Sequence, residues 1–206
     1  MQAFPDLPPP SAPHREPSLM LEQARRRWGG QEDLWVFGYA SLIWRPEFES
    51  AEARPARVHG WHRALEMRSR VNRGTPECPG LVFALVSGGS CRGMAYRIPR
   101  DQVELELARL WVREMPTGVY DPRWVPCRTE QGTVHALAFT LSRDSPNYTG
   151  ALADACLVDV LSRACGRYGS TLAYVLETAK SLHRCGIRDR RVERLVALAR
   201  RHALAE

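Results

Sequence analysis

Glu114 is the residue whose position first suggests chemistry. It falls four residues after Leu110 and eleven after Val103. At about 3.6 residues per turn, this spacing puts a carboxylate on the apolar stripe of its own helix, a stripe built by Val103, Leu107, Leu110 and Trp111. A carboxylate facing a core is paired, hydrogen-bonded or functional. Burial would raise its pKa toward the range of a general acid/base. The alternative is a salt bridge, to Arg113 or another Arg. Glu104 and Glu106 fall off the stripe and are expected to be solvated. The second candidate is the run Val36-Phe37-Gly38-Tyr39-Ala40-Ser41-Leu42-Ile43-Trp44. It reads as a buried strand entering a small-residue turn, whose successive N–H groups can hold an anion. Ser41 lacks the following glycine of a nucleophile elbow, and no Gly-Lys-Ser/Thr follows to make a phosphate loop. Taken alone, the turn is equally a structural one.

The elements that position these residues follow from pattern. Leu34–Tyr39 is a short apolar strand. Arg54–Met67 alternates loosely and is broken by Gly60, predicting two strands or one bent strand. Arg68–Gly80 is a Gly- and Pro-rich loop. Leu81–Val86 and Cys91–Ile98 read as the arms of a hairpin around Ser87-Gly88-Gly89-Ser90. Asp101–Met115 is the clearest helix of the first half, ended by Pro116 and Gly118. Trp124–Arg128 and Thr133–Leu141 are strands. Ala151–Ala164, Thr171–Arg184 and Arg190–Ala203 are helical segments separated by Gly166, Gly169 and Gly186. Strands dominate early and helices close the chain, which argues α+β, with strands that can close into a small barrel.

The chain has 206 residues, enough for one domain with a real core. Residues 1–33 read as a Pro-rich extension that cannot pack a core, with a short helix over 18–28 that Leu19, Leu21 and Trp28 can dock. The ordered domain is expected over 34–206. No run approaches about 18 apolar residues, so no membrane span is expected, and no export signal is apparent. A cytoplasmic location follows as the expectation. The net charge is +6, from 29 basic and 23 acidic residues. Lys180 is the sole lysine, and the Arg184–Arg201 cluster reads as the solvated face of a helix. Nucleic acid is not an expected partner, although a mild positive field can draw in a small anionic substrate. The six cysteines, Cys78, Cys91, Cys127, Cys156, Cys165 and Cys185, contain no CxxC and are expected as reduced, mostly buried thiols. Neither they nor His59 and His62 have metal-site spacing, so no metal is expected.

Taken together, these segments resemble the ChaC-like gamma-glutamylcyclotransferases. Val36–Trp44 is similar to the family's VFGYGSLIW segment. Four further stretches follow in the family's order: Arg54-Pro-Ala-Arg-Val-His-Gly-Trp61, Arg73-Gly-Thr-Pro-Glu-Cys-Pro-Gly-Leu81, Trp111-Val-Arg-Glu-Met115 with Tyr120, and Asp144-Ser-Pro-Asn-Tyr-Thr-Gly150. The resemblance covers roughly residues 34–200. It implies a gamma-glutamylcyclotransferase-like α+β fold, a small mixed β-barrel with flanking helices and one substrate cavity. It implies conversion of glutathione to 5-oxoproline and Cys-Gly, with no metal and no cofactor. Carried over by position, Glu114 is the catalytic acid/base. Val36, Phe37, Gly38, Tyr39, Ala40, Ser41 and Leu42 form the substrate loop, and Arg73 and Tyr148 line the cavity. One departure is Ala40, which stands where the family has glycine. At a positive φ this would cost about 1–2 kcal/mol, and at a negative φ little. The alternatives are the same reaction on another gamma-glutamyl amino acid or amine, and a non-enzymatic binding module on the same fold. The number of chains in the assembly is not legible.

Overall fold

The computed structural model describes residues 15–205. Helix α1 (Pro17–Trp28) leads into strand β1 (Leu34–Gly38), a single-turn helix α2 (Ser41–Trp44), and the long strands β2 (Glu52–Ser69) and β3 (Gly80–Ile98). A 3-10 turn (Arg100–Gln102) then opens α3 (Val103–Glu114), followed by β4 (Asp121–Thr129) and β5 (Gly132–Leu141). The chain closes with α4 (Asp154–Arg163), a small ribbon of β6 (Cys165–Gly166) and β7 (Gly169–Ser170), α5 (Thr171–Arg184) and α6 (Arg190–Arg201). The first five strands form a closed barrel in the order β1-β3-β2-β4-β5, with β5 returning to both β1 and β3. Those last contacts are parallel and the others antiparallel, so the barrel is mixed. This is the α+β architecture anticipated above.

The hairpin expected at Ser87–Ser90 does not exist. Both arms belong to β3, and both pair with β2: Trp61 faces Ser87, His59 faces Ser90 and Val58 faces Cys91. The glycines there bend the strand rather than reverse it. Gly60, Gly88 and Gly89 have φ of 80°, 101° and 71°, and the register slips between His59 and Trp61. Positive φ at facing glycines is what lets a two-stranded ribbon curl sharply. The curl has a topological result. The Leu81–Val86 half of β3 reaches β5, at Leu85–Thr140 and Val86–Leu141, while the Met94–Ile98 half pairs with β1. Barrel closure depends on this bend, and Arg54–Met67 is accordingly one bent strand.

Three further expectations change. Glu106 is buried at 2% exposure. It lies three residues after Val103 on the covered face of α3, where Arg109 donates to its Oε1 at 2.9 Å and its Oε2 has no partner among the described residues. Glu104 is exposed and pairs with Arg25 at 2.8 Å. Of the six thiols, all unpaired, Cys91 and Cys127 alone are buried; Cys156 and Cys165 are exposed and the other two half-buried. Packing also starts before Leu34: Ala24 is buried in the core, Leu21 and Trp28 lie against it, and Leu19 is exposed. Trp111 Nε1 donates to Pro17 O at 2.7 Å, and Arg15 pairs with Asp121. The Pro-rich head through residue 14 lies outside the described residues. The Arg184–Arg201 face is solvated, with Arg184, Arg188 and Arg194 each paired to an acid. Among the described residues no helix is long and apolar enough to cross a membrane, and no cluster of three or more His, Cys, Asp or Glu is arranged to hold a metal ion.

Candidate active site

Glu114 is the last residue of α3. Its side chain keeps 15% exposure. Burial raises its pKa above the ordinary 4.5. Arg113, whose Nε lies 2.9 Å from Glu114 Oε1, opposes that rise, and the nearby Glu47 adds to it. The helix end contributes in the same direction, since unpaired carbonyls at a C-terminus disfavour a negative charge. The salt bridge to Arg113 weighed above therefore exists, and the environment nonetheless favours the protonated acid over what a free glutamate shows.

Three buried phenols border this carboxyl. Burial, foremost, holds Tyr39, Tyr120 and Tyr174 neutral well above neutral pH, and the Glu114 charge acts on each in the same sense. Tyr39 Oη donates to Phe139 O at 2.9 Å, and the Tyr120 hydroxyl bonds to that of Tyr39. Tyr174 Oη accepts from Phe83 N–H at 3.2 Å, which leaves its own proton to point elsewhere. The phenols arrive from three places: the β1–α2 loop, the α3–β4 link and the buried face of α5. A recess lined by neutral hydroxyl donors around one carboxyl suits a reaction that moves one proton and builds charge on a carbonyl oxygen.

The substrate loop is held from behind. Val36 and Phe37 are fully buried in β1; Val36 faces Tyr96 on one side and Leu137 on the other. They anchor the loop and present no side chain to the recess. Gly38 permits close packing, because a Cβ there would lie 2.9 Å from the Tyr96 ring and 3.1 Å from Leu42 Cβ. The chain leaves the sheet at Tyr39. Its carbonyl accepts from Arg63 Nε, a guanidinium buried at 1% exposure that also binds Arg92 O and Asp189, the N-cap of α6. Ala40 has φ −144°, so the methyl group there carries no left-handed strain. Ser41 and Leu42 open α2, whose first amides have no intrahelical acceptor. Arg113 donates to Arg45 O and lies 3.3 Å from Glu47, tying the end of α3 to the end of this loop.

Arg73 is buried against the Tyr174 ring, 4.9 Å from its centroid, and donates to Tyr168 O. The loop carrying it packs without side-chain clearance: a Cβ on Gly80 would strike Arg73 O, and one on Gly166 would lie 2.5 Å from Gly74 N. Tyr148 has its own set of contacts. It bridges to Met67, bonds Glu66 and packs on the small cluster of Ala64, Ala84, Val86 and Leu141. A groove of about 460 Å³ between α5 and α6 around Asp189 does not have Glu114 in its lining. Tyr174 and Arg63 escaped the sequence reading, which named Arg113 only as a salt-bridge partner and Tyr120 only within a motif. Tyr174 could have been found as Glu114 was, as a polar group on the covered stripe of α5 with Thr171, Thr178 and Ser181.

This geometry defines a mixed-barrel α+β protein with a carboxyl of raised pKa at the end of α3, tied through Arg113 to the end of a strand-to-helix loop. The family described as ChaC-like protein matches residues 34–202. The chain is 36% identical over 180 residues to the glutathione-specific gamma-glutamylcyclotransferase of Escherichia coli (strain K12), covering 87% of this chain and 77% of that protein. It is 32% identical over 183 residues to glutathione-specific gamma-glutamylcyclotransferase 1 of Homo sapiens, covering 86% and 81%. The crystal structure of a yeast gamma-glutamyl cyclotransferase specific to glutathione shares the fold, with a TM-score of 0.72 at 20% identity over 82% of this chain and 94% of that one. The chain belongs to the ChaC-like family.

Proposed function

We propose that this chain is a gamma-glutamylcyclotransferase that cleaves glutathione to 5-oxoproline and Cys-Gly, with Glu114 as its general acid/base. The relatives named for that reaction support the substrate. The observation that supports the role of Glu114 is its setting: a carboxyl of raised pKa whose charge acts on three buried neutral phenols, Tyr39 of the loop among them.

The substrate brings its own nucleophile. The recess folds the glutamyl chain until its alpha-amine reaches the gamma-carbonyl carbon, a proximity effect. The ammonium gives one proton to Glu114, and the amine forms the new C–N bond. Charge moves to the carbonyl oxygen, and in this reading Tyr174 and the loop amides donate to it. The original C–N bond then breaks as Glu114 returns the proton to the departing cysteinyl nitrogen, and the ring nitrogen gives up its second ammonium proton, so that the lactam keeps one N–H and the cysteinyl amine leaves as ammonium. Such a base typically contributes ~10²–10⁴ in rate, or roughly 3–5.5 kcal/mol of barrier. No step needs an oxidant or a covalent enzyme intermediate. Ala40 narrows the loop by a methyl group without straining it, so it gives little weight to a different gamma-glutamyl substrate. The reading carries a cytoplasmic location with it, where glutathione is abundant.

Incubation with glutathione followed by mass spectrometry tests the proposal. Equal amounts of 5-oxoproline and Cys-Gly are expected, and Glu114→Gln is expected to form neither. Retained turnover in that variant rejects the assigned role.

A further inference from the structure

Two donors beside Tyr174 have no acid to bind among the described residues. Arg73 is 9% exposed. The charges acting on its guanidinium come from Tyr174, Arg45 and Cys165, and no carboxylate is among them. Its one hydrogen bond from the guanidinium among the described residues goes to a neutral carbonyl, Tyr168 O. A buried cation without a counter-ion is costly to keep, and costlier still when another cation stands nearby. Trp44 Nε1 is the second donor. It is buried and has no acceptor among the described residues, and its indole packs edge-on to the same Tyr174 ring, with centroids 6.4 Å apart. Two more guanidiniums border this end: Arg45 and Arg167 lie over the half-exposed Tyr168 ring, at 5.5 Å and 4.8 Å. Arg45 already pairs with Glu47, but Arg73 and Trp44 Nε1 have no acid partner among the described residues, so an anion fits their corner.

Resting on the functional reading above, we propose that Arg73 receives the carboxylate at the far end of the substrate's leaving portion, with Trp44 Nε1–H as a second donor. The substrate has two carboxylates, and chemistry decides which one arrives here. The glutamyl alpha-carboxylate sits on the same carbon as the attacking amine, so it must stay beside Glu114. The charged groups acting on Glu114 are Arg113 and Glu47, and Arg73 is not one of them. Tyr174 touches Arg73 and is near enough to Glu114 to feel its charge. The carboxylate that can extend past Tyr174 is therefore the terminal one of the departing peptide. Arg73 and Trp44 then act as specificity determinants. They select gamma-glutamyl peptides with a free C-terminus over gamma-glutamyl amines and C-terminal amides.

Turnover of glutathione and of its glycine-amide analogue by the purified chain tests this. Wild type is expected to favour glutathione by about 10- to 100-fold in kcat/KM, the range of a hydrogen-bonded charge lost. Arg73→Met is expected to bring that ratio near unity by slowing glutathione while barely changing the amide. Trp44→Phe, which keeps the ring and loses the N–H, is expected to compress the ratio in part. Equal turnover of both peptides by wild type overturns the subsite. So does an Arg73→Met variant that slows both by the same factor. Should Arg73→Met fail to fold by circular dichroism, Trp44→Phe decides, and a ratio unchanged from wild type overturns the proposal. Absence of any glutathione turnover in wild type is a different result, and rejects the functional reading itself.

Discussion

Ionising Glu114 costs the folded protein more than ionising a surface glutamate, and this is what makes its role testable without a substrate. Burial lifts its pKa above 4.5, against the pull of Arg113. A carboxyl whose folded pKa exceeds its unfolded value binds its proton more tightly when folded. The stability this brings is complete below the unfolded pKa and is lost as pH rises through the folded one. Glutamine mimics the protonated acid, so Glu114→Gln is expected to melt at or above the wild-type temperature at pH 7. The gap should close as pH falls below the unfolded pKa. A lower melting temperature at pH 7 would mean that the bridge to Arg113 is the main work of this carboxylate. Activity has its own signature: the acid limb of kcat/KM should fall at a pH above that of an ordinary glutamate. At this scale much was legible. Helical spacing alone put Glu114 on a covered stripe. The same test, applied to every member of the stripe rather than its apolar ones, would have caught Glu106 three residues after Val103. The phenols of Tyr39 and Tyr120 offered no such clue, because their neighbours come from other elements.

Among the elements, the β2–β3 ribbon shows how a local pattern misleads. Ser87-Gly88-Gly89-Ser90 has the residues of a hairpin turn, and its glycines do adopt positive φ. What the pattern lacked was the partner. With β2 lying alongside both arms, the same glycines make a curl that brings β3 to β5 and closes the barrel. Gly60 faces this bend at φ 80°, and a Cβ there would meet nothing within 4 Å. Gly60→Ala therefore isolates the backbone term from any clash. It is expected to lower the free energy of unfolding by about 1–2 kcal/mol, read from urea denaturation with an unchanged slope. Gly38 is the converse case, where φ is ordinary and a methyl group would press on Tyr96 and Leu42.

For the molecule as a whole, the family match and the packed core have different limits. The match begins at residue 34, yet α1 contributes a buried Ala24, packs Trp28 on the core and receives the Trp111 indole bond. Arg15 adds a bridge to Asp121 and a bond to Tyr120 O at 3.0 Å, next to a phenol of the recess. A chain beginning at Leu34 is thus expected to fold with a melting temperature lower by several degrees, the shift that about 1–2 kcal/mol produces in a domain of this size. Its kcat on glutathione should fall as well, since Tyr120 loses a backbone tether. Equal melting curves for the two chains would show that α1 is dispensable.

The amino-acid order alone determined the helices, whose period is written in neighbouring residues, and the carboxyl that one of them carries inward. It also determined the run of motifs that marks the family, and with that the barrel and the reaction to expect. Only the tertiary structure decided which strands pair, that Tyr148 bonds Glu66, that the charge of Glu114 acts on Tyr39, Tyr120 and Tyr174, and that Arg73 and Trp44 meet the Tyr174 ring. The reason is range. Helical bonds join residues four apart and leave a periodic trace, whereas strand pairing and side-chain convergence join residues tens of positions apart and leave none.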